Sequence, residues 1–355
     1  MERYERHTLL KEIGPKGQLL LGRAKVAVVG AGGLGTALLP YLVAAGVGHI
    51  AVFDPDCIVL SNLQRQVIYR EKDIGKPKAT KAVQHLKKIN SQIDLQGHIK
   101  SIDANNALEH LAGFDLLVDC TDNFRTRYVL NDAAVMLDLP LVHAALYKFE
   151  GQLSVFNHRG GPTYRCLYPQ PPTDHSIPNC SEVGVLGTVP GLMGLYQAQE
   201  VLKIILGIGQ VVSGRMLSFN FLDQRSSTFD FERNQKAVAA LKRQKKIVPI
   251  ALNDCEVTPP PVLAEQLNDI AQYRWYDLRK PEETPIIDRP WVHRYPWPEG
   301  PNPADQKITV DERTIFFCAS GQRALQAAKR YHHQGARWTS SSAIALLNTF
   351  EEYDR

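Results

Sequence analysis

The chain has 355 residues, 44% of them hydrophobic and 22% charged, with a formal net charge of +4. That apolar supply is enough for one large α/β domain plus a smaller one, and so mild a charge, with Lys and Arg interleaved among acids, excludes the long basic tract of a nucleic-acid binder. Six scattered cysteines, Cys57, Cys120, Cys166, Cys180, Cys255 and Cys318, and an opening Met-Glu-Arg-Tyr without an apolar signal predict a reducing, cytoplasmic setting.

In chain order, residues 26–29, 49–53, 95–99, 115–119 and 139–144 read as strands, and 34–45, 78–90 and 124–137 as the helices that cross between them. This alternation predicts a parallel sheet wrapped by helices. Residues 150–156 and 215–222 alternate apolar and polar side chains as half-exposed antiparallel strands do, so the sheet is mixed. The apolar stretch 184–207 is interrupted by Pro190, Gln197, Gln199, Glu200 and Lys203 and reads as a buried helix, not a membrane span. Residues 233–253 are basic without a sheet pattern, and Lys242-Arg-Gln-Lys-Lys246 reads as a solvated linker face. Thr258-Pro-Pro-Pro261 cannot continue a helix or a central strand, which places a boundary near residue 255, between a domain at 1–250 and another at 256–355. The second domain has strands ending at Trp275-Tyr-Asp277-Leu-Arg279 and spanning 314–317, a proline-rich segment at 285–303 and a helix at 324–332.

The chemistry concentrates early. After the first strand comes Gly30-Ala-Gly32-Gly33-Leu-Gly35, whose glycines suit a tight turn, close backbone approach to phosphate and helix packing, with N–H groups at a helix start to attract the anion. Asp54 follows about twenty residues later, where an acid can hold a ribose hydroxyl. These features alone also describe a nicotinamide-dependent oxidoreductase. Such a site, however, has no use for Ser61-Asn62-Leu-Gln-Arg65-Gln66 just beyond the acid, nor for Lys78. Two cations there suit a triphosphate, and Asp122, at the carboxyl end of a neighbouring strand, can hold magnesium; together they form a device for ATP chemistry.

Gly30 to Gly35, Asp54-Pro-Asp56 leading to Ser-Asn-Leu-Gln-Arg-Gln, Gly75-Lys-Pro-Lys78 and Cys120-Thr-Asp122-Asn-Phe-Arg125-Thr-Arg127 resemble the MoeB/ThiF/HesA adenylyltransferases, bacterial relatives of ubiquitin-activating enzymes, from the first residues to about residue 235. The resemblance implies a Rossmann-like ATP-binding domain that adenylates the C-terminal glycine of a small ubiquitin-like sulfur carrier. It implies that Asp54 binds ribose, that Asn62, Arg65, Gln66 and Lys78 bind phosphates and that Asp122 binds magnesium. The opening Arg3-Tyr4-Glu5-Arg6 also resembles the family's, in which the second arginine reaches the partner subunit's ATP site; Arg6 would be that residue, and the catalytic unit a homodimer. Cys180 occupies the place of a cysteine that forms a covalent intermediate in some relatives and is dispensable in others. Many relatives carry two Cys-x-x-Cys pairs that hold zinc. Here Thr163 stands in the first ligand's place, Cys166 remains and no second pair follows near 225–253, so no zinc is expected.

Asp277-Leu-Arg279-Lys-Pro-Glu282-Glu283 and Cys318-Ala-Ser-Gly321-Gln-Arg323-Ala resemble the rhodanese module, covering 256–355. That likeness implies that Cys318 carries an anionic persulfide in a nest of N–H groups beside Arg323. Ala324 where a hydroxyl residue is common, the short proline-rich insert and a tail lacking the module's glycine pair leave open a degenerate, docking role. The expected activity is thus carrier adenylation, with sulfur delivery from a donor such as a cysteine desulfurase, in molybdopterin or thiamine biosynthesis; a non-catalytic scaffold and the nicotinamide enzyme are the readings from other classes.

Overall fold

A computed structural model of the chain divides into two compact units, Met1–Leu252 and Asn253–Arg355. It describes residues 2–171 and 184–249 of the first, and 261, 262, 264, 267, 269–296, 310–319, 322–331, 336–339 and 343–354 of the second.

The first unit begins with two helices, α1 (Glu5–Thr8) and α2 (Gly14–Arg23), and then alternates β1 (Lys25–Val29), α3 (Gly33–Ala45), β2 (His49–Phe53), α4 (Lys78–Leu86), β3 (Asp94–His98), α5 (Ala107–Leu111), β4 (Leu116–Asp119), α6 (Phe124–Met136) and β5 (Leu141–Tyr147). A hairpin follows to β6 (Glu150–Phe156), then α7 (Tyr164–Leu167), the long α8 (Thr188–Leu206), β7 (Arg215–Asn220), β8 (Arg225–Asp230) and α9 (Gln235–Lys242). The strands form one sheet in the order β3-β2-β1-β4-β5-β6-β7-β8. It is parallel through β5 and antiparallel from β5 to β8.

Both faces of the parallel part are buried, and β1 shows how. Val26 and Val28 join a cluster with Leu38 and Leu42 of α3 and Val201 of α8. Ala27 and Val29, pointing the other way, join one with Tyr128 and Leu130 of α6 and Leu111 of α5. A strand covered on both sides has no polar face to alternate with, which is why its sequence is a continuous apolar run. Helix α8 is the element predicted as a buried helix at 184–207. A Cβ on its Gly194 would stand 2.5 Å from Leu34 O and 2.8 Å from Ala37 Cβ, so only glycine lets α8 lie this close to α3. Among the described residues no helix is long and apolar enough to cross a membrane.

Some boundaries differ from the sequence expectation. The crossover expected at 78–90 ends as a helix at Leu86, and the run at 233–253, read as basic without a sheet pattern, contains α9, whose last residue Lys242 begins the basic run. Several elements were not legible in the sequence, and β8 and α2 show why. β8 is exposed along its whole length and carries no apolar face to read, and α2 contains Gly14, Pro15, Gly17 and Gly22 among three consecutive leucines of which only Leu21 is buried.

The second unit holds a parallel sheet in the order β10-β9-β11-β12, built from β9 (Arg274–Asp277), β10 (Val292–Arg294), β11 (Thr314–Phe317) and β12 (Arg337–Trp338), with α10 (Gln322–Arg330) and α11 (Ala343–Tyr353). Trp275, Ile315 and Phe317 pack with Phe350 on one face, and Tyr276 and Phe316 with Ala324, Ala327 and Ala328 on the other.

Candidate active site

A cavity of about 350 Å³ opens at the carboxyl ends of β1, β2, β4 and β5 in the first unit, the place where open α/β sheets receive ligands. Gly30 turns the chain there with φ +103°, and a Cβ on it would lie 2.4 Å from Cys120 O; one on Gly35 would lie 2.2 Å from Gly30 O. The turn therefore exists only with glycine at both ends. Gly32 and Gly33 line the cavity, and no side chain caps the α3 amino terminus that faces it. Asp54 pins the turn as well as lining the cavity: Oδ2 accepts from Ala31 N at 2.7 Å and Oδ1 from Asp56 N at 2.9 Å. Burial raises its pKa above the usual carboxylate value, against the opposing pull of Lys78 and the two backbone donors.

The segment between β2 and α4 folds back over this turn. The single hydroxyl proton of buried Tyr69 is shared between Ala31 O at 2.9 Å and Lys78 O at 3.2 Å, tying the segment to both sides of the cavity. Asn62, Arg65, Gln66 and Lys78 all line the wall. Asn62 Oδ1 accepts from Val59 N, and Arg65 is held by Ser61 O, while buried Gln66 Oε1 has no hydrogen-bond partner. Lys78 is buried, and its ammonium donates to Asp56 Oδ2 at 2.8 Å.

At the end of β4, exposed Asp122 lines the cavity with Thr121 and Asn123. Arg127, part of the Cys120–Arg127 motif, joins this wall without a role legible from the sequence. Arg127 is 7% exposed, lines the same cavity and donates to Thr121 O at 3.3 Å, and its Nε has no partner. Its spacing of five from Asp122, at the fourth residue of α6, was the available signal. Lys100, Ser101 and Asp56 also line the cavity and were not singled out. Among the described residues no group of three or more His, Cys, Asp or Glu side chains could hold a metal ion alone.

The other candidates lie elsewhere. Arg6 is exposed on α1 and does not line its own chain's cavity. Cys180 lies outside the described residues, as does Gly321. Cys166 Sγ accepts from Thr163 N at 3.3 Å and Asn234 N at 3.2 Å, with Thr163 Oγ1 3.3 Å away, so protein groups surround it. In the second unit, Cys318 directly follows β11 and is fully buried. Arg323 sits beside its sulfur and makes a two-pronged bond to Glu283, at 2.6 and 2.7 Å. The arginine holds the Glu283 carboxyl down at about 2. Arg279 in turn grips Asp277 through Nε and Nη2, at 2.8 and 2.7 Å.

The ThiF family model matches residues 4–240. The chain is 45% identical over 241 residues to the sulfur carrier protein adenylyltransferase of Thermus thermophilus, covering 66% of this chain and 89% of that protein. It is 47% identical over 252 residues to adenylyltransferase and sulfurtransferase MOCS3 of Culex quinquefasciatus, covering 71% of this chain and 55% of the relative; it thus spans about half the length of the MOCS3 protein it matches. The crystal structure of E. coli MccB with ATP matches with a TM-score of 0.59 at 24% identity, covering 66% of this chain and 72% of that one, a likeness of fold alone.

Proposed function

The chain belongs to the ThiF family, and from that premise we propose that its first unit is an ATP-dependent adenylyltransferase acting on the C-terminal glycine of a small ubiquitin-like sulfur carrier that ends in Gly-Gly. The carrier carboxylate attacks the α-phosphorus of ATP, the bond to the bridging oxygen of the β-phosphate breaks, and pyrophosphate leaves. The observation that carries this reading is the single cavity shared by the glycine turn, Arg65, Lys78 and Asp122. Amide groups of the turn and the two cations offset charge that grows on the departing pyrophosphate. Asp54 takes the ribose, and Asn62 and Gln66 supply polar contacts to the phosphates.

Magnesium suits this site because that ion is commonly held by one or two carboxylates together with substrate phosphates, without a cage of protein ligands. Asp122 and Asp56 are both exposed acids of the cavity; Asp56 pairs with Lys78, so Asp122 would hold the ion, which would neutralise phosphate charge. Arg6 acts in the cavity of a second copy, which makes a homodimer the working unit. Cys318 of the second, rhodanese-like unit carries a persulfide, charged by a donor such as a cysteine desulfurase; its outer sulfur attacks the activated carboxylate as AMP leaves, forming an acyl disulfide, and a second thiol then cleaves the S–S bond, releasing the thiocarboxylate and leaving a disulfide to Cys318. Joining both units on one chain raises the effective concentration of the sulfur donor.

ATP–pyrophosphate exchange with purified carriers of the molybdopterin and thiamine pathways tests the reading and selects the pathway. Exchange dependent on one carrier, cut by about 100-fold or more by Asp122→Ala or Lys78→Ala, is the expected result. Absence of exchange with every Gly-Gly carrier would sink it.

A further inference from the structure

Beneath Asp122 lies a buried polar layer that no assigned role uses. Asp119, the last residue of β4, and His143, its register partner on β5, are both buried and joined by a 2.7 Å hydrogen bond between Asp119 Oδ2 and His143 Nδ1. The other carboxylate oxygen, Oδ1, accepts from Thr121 N at 3.0 Å and from Thr121 Oγ1 at 2.6 Å, bending the chain directly before Asp122. Gln197 of α8 donates to Asp119 O at 2.7 Å, and Arg127 of α6 donates to Thr121 O. Three elements, β5, α6 and α8, thus grip one four-residue turn.

The protonation states are consistent with that work. Burial opposes the Asp119 charge, but the hydrogen bonds from His143 and Thr121 and the Arg127 guanidinium hold its carboxyl below the usual range. Burial depresses the His143 pKa. A neutral imidazole facing an ionised carboxylate must donate from Nδ1, so the bond is directional and the tautomer fixed. Replacing a buried charged pair by well-packed apolar residues is often neutral or stabilising, so stability alone is a weak account of why this carboxylate is buried.

We propose that Asp119 and His143 are positioning residues for the adenylation step, setting the Thr121–Asp122 turn so that the Asp122 carboxylate meets the metal and phosphates in the transition state. This inference rests on the adenylyltransferase reading of the cavity. Neither residue touches substrate; they act through Thr121. Ångström-scale misplacement of a reacting group costs about a hundredfold in rate, and loss of outer-layer partners of a metal ligand costs about 10- to 100-fold.

His143→Phe should lower kcat of carrier-dependent ATP–pyrophosphate exchange by about 10- to 100-fold and leave the KM for ATP within about threefold, because the glycine turn, Arg65 and Lys78 that bind the ground state are untouched. His143→Gln, whose amide still donates to Asp119, should restore most of kcat. Thr121→Val removes the 2.6 Å hydroxyl bond to Asp119 Oδ1 and so weakens the link from its other end, leaving the backbone bond and the buried pair whole, so a fold failure in His143→Phe does not stop the test. In an Asp122→Asn background, His143→Phe or Thr121→Val should cost less than about twofold more, since the group being positioned is already disabled. Full additivity there, or a loss that falls on KM alone, overturns the positioning role. Wild-type chain that does not exchange at all overturns the adenylyltransferase reading first, and this inference with it.

Discussion

Lys78 Nζ lies 2.8 Å from Asp56 Oδ2, yet the two partners sit in different surroundings: the lysine side chain is 8% exposed and the aspartate 64%. A pair with one end in water is worth at most about 1 kcal/mol. Asp56 therefore parks the ammonium without trapping it, and a phosphate can take its place. Lys78→Ala should cut pyrophosphate exchange by about 100- to 1,000-fold, whereas Asp56→Ala should cost less than about tenfold, by analogy with loss of an exposed pair. Steady-state exchange assays decide this; equal losses would mean that Asp56 has its own role in the reaction.

Arg6 is exposed and absent from its own chain's cavity. If it completes a second copy's site, mixing Arg6→Ala chains with Lys78→Ala chains should restore activity by creating one intact site per mixed dimer. A mass-resolved hybrid with no activity above either parent would remove the trans role.

Cys318 follows β11 beside Arg323, far along the chain from every residue of the cavity. Cys318→Ser should leave pyrophosphate exchange unchanged and stop sulfur transfer from thiosulfate or a persulfide donor to the adenylated carrier. Mass spectrometry of the carrier reads the outcome, and thiocarboxylate formed at the wild-type rate would make the second unit a docking remnant.

Stability should fall on the acid side in two stages. His143 and His98 have folded-state pKa values depressed by burial, so the unfolded chain binds their protons first and stability is lost as pH drops below about 6.5. Asp73 is fully buried and held well below the ordinary carboxylate range by His85 and Lys81, and Asp119 is likewise depressed; their contributions are present above about 3.8 and disappear as pH falls further toward their folded values. Thermal unfolding midpoints measured from pH 8 to 3 should show both declines, and His143→Phe should weaken the first. A midpoint that does not change between pH 7 and 5 would contradict the neutral state of buried His143 and half-buried His98.

Features set by local chemistry are legible along the chain. Gly30 and Gly35 are readable because no other residue fits their backbone, the parallel strands because burial on both faces leaves unbroken apolar runs, and the cationic segment from Asn62 to Lys78 because its residue types are grouped along the chain. Elements without a local pattern stayed silent, as the wholly exposed edge strand β8 did. Only the tertiary structure decided how distant residues combine. Asp119 and His143 stand 24 positions apart, and nothing in either neighbourhood predicts a hydrogen bond until β4 and β5 align them in register. Arg127 reaches the cavity because α6 turns it over the Thr121 carbonyl, and Lys78 meets Asp56 because the intervening chain folds back and is fastened by Tyr69. Hydrogen bonds of this kind depend on three-dimensional proximity within a few ångströms, a quantity that sequence spacing does not encode.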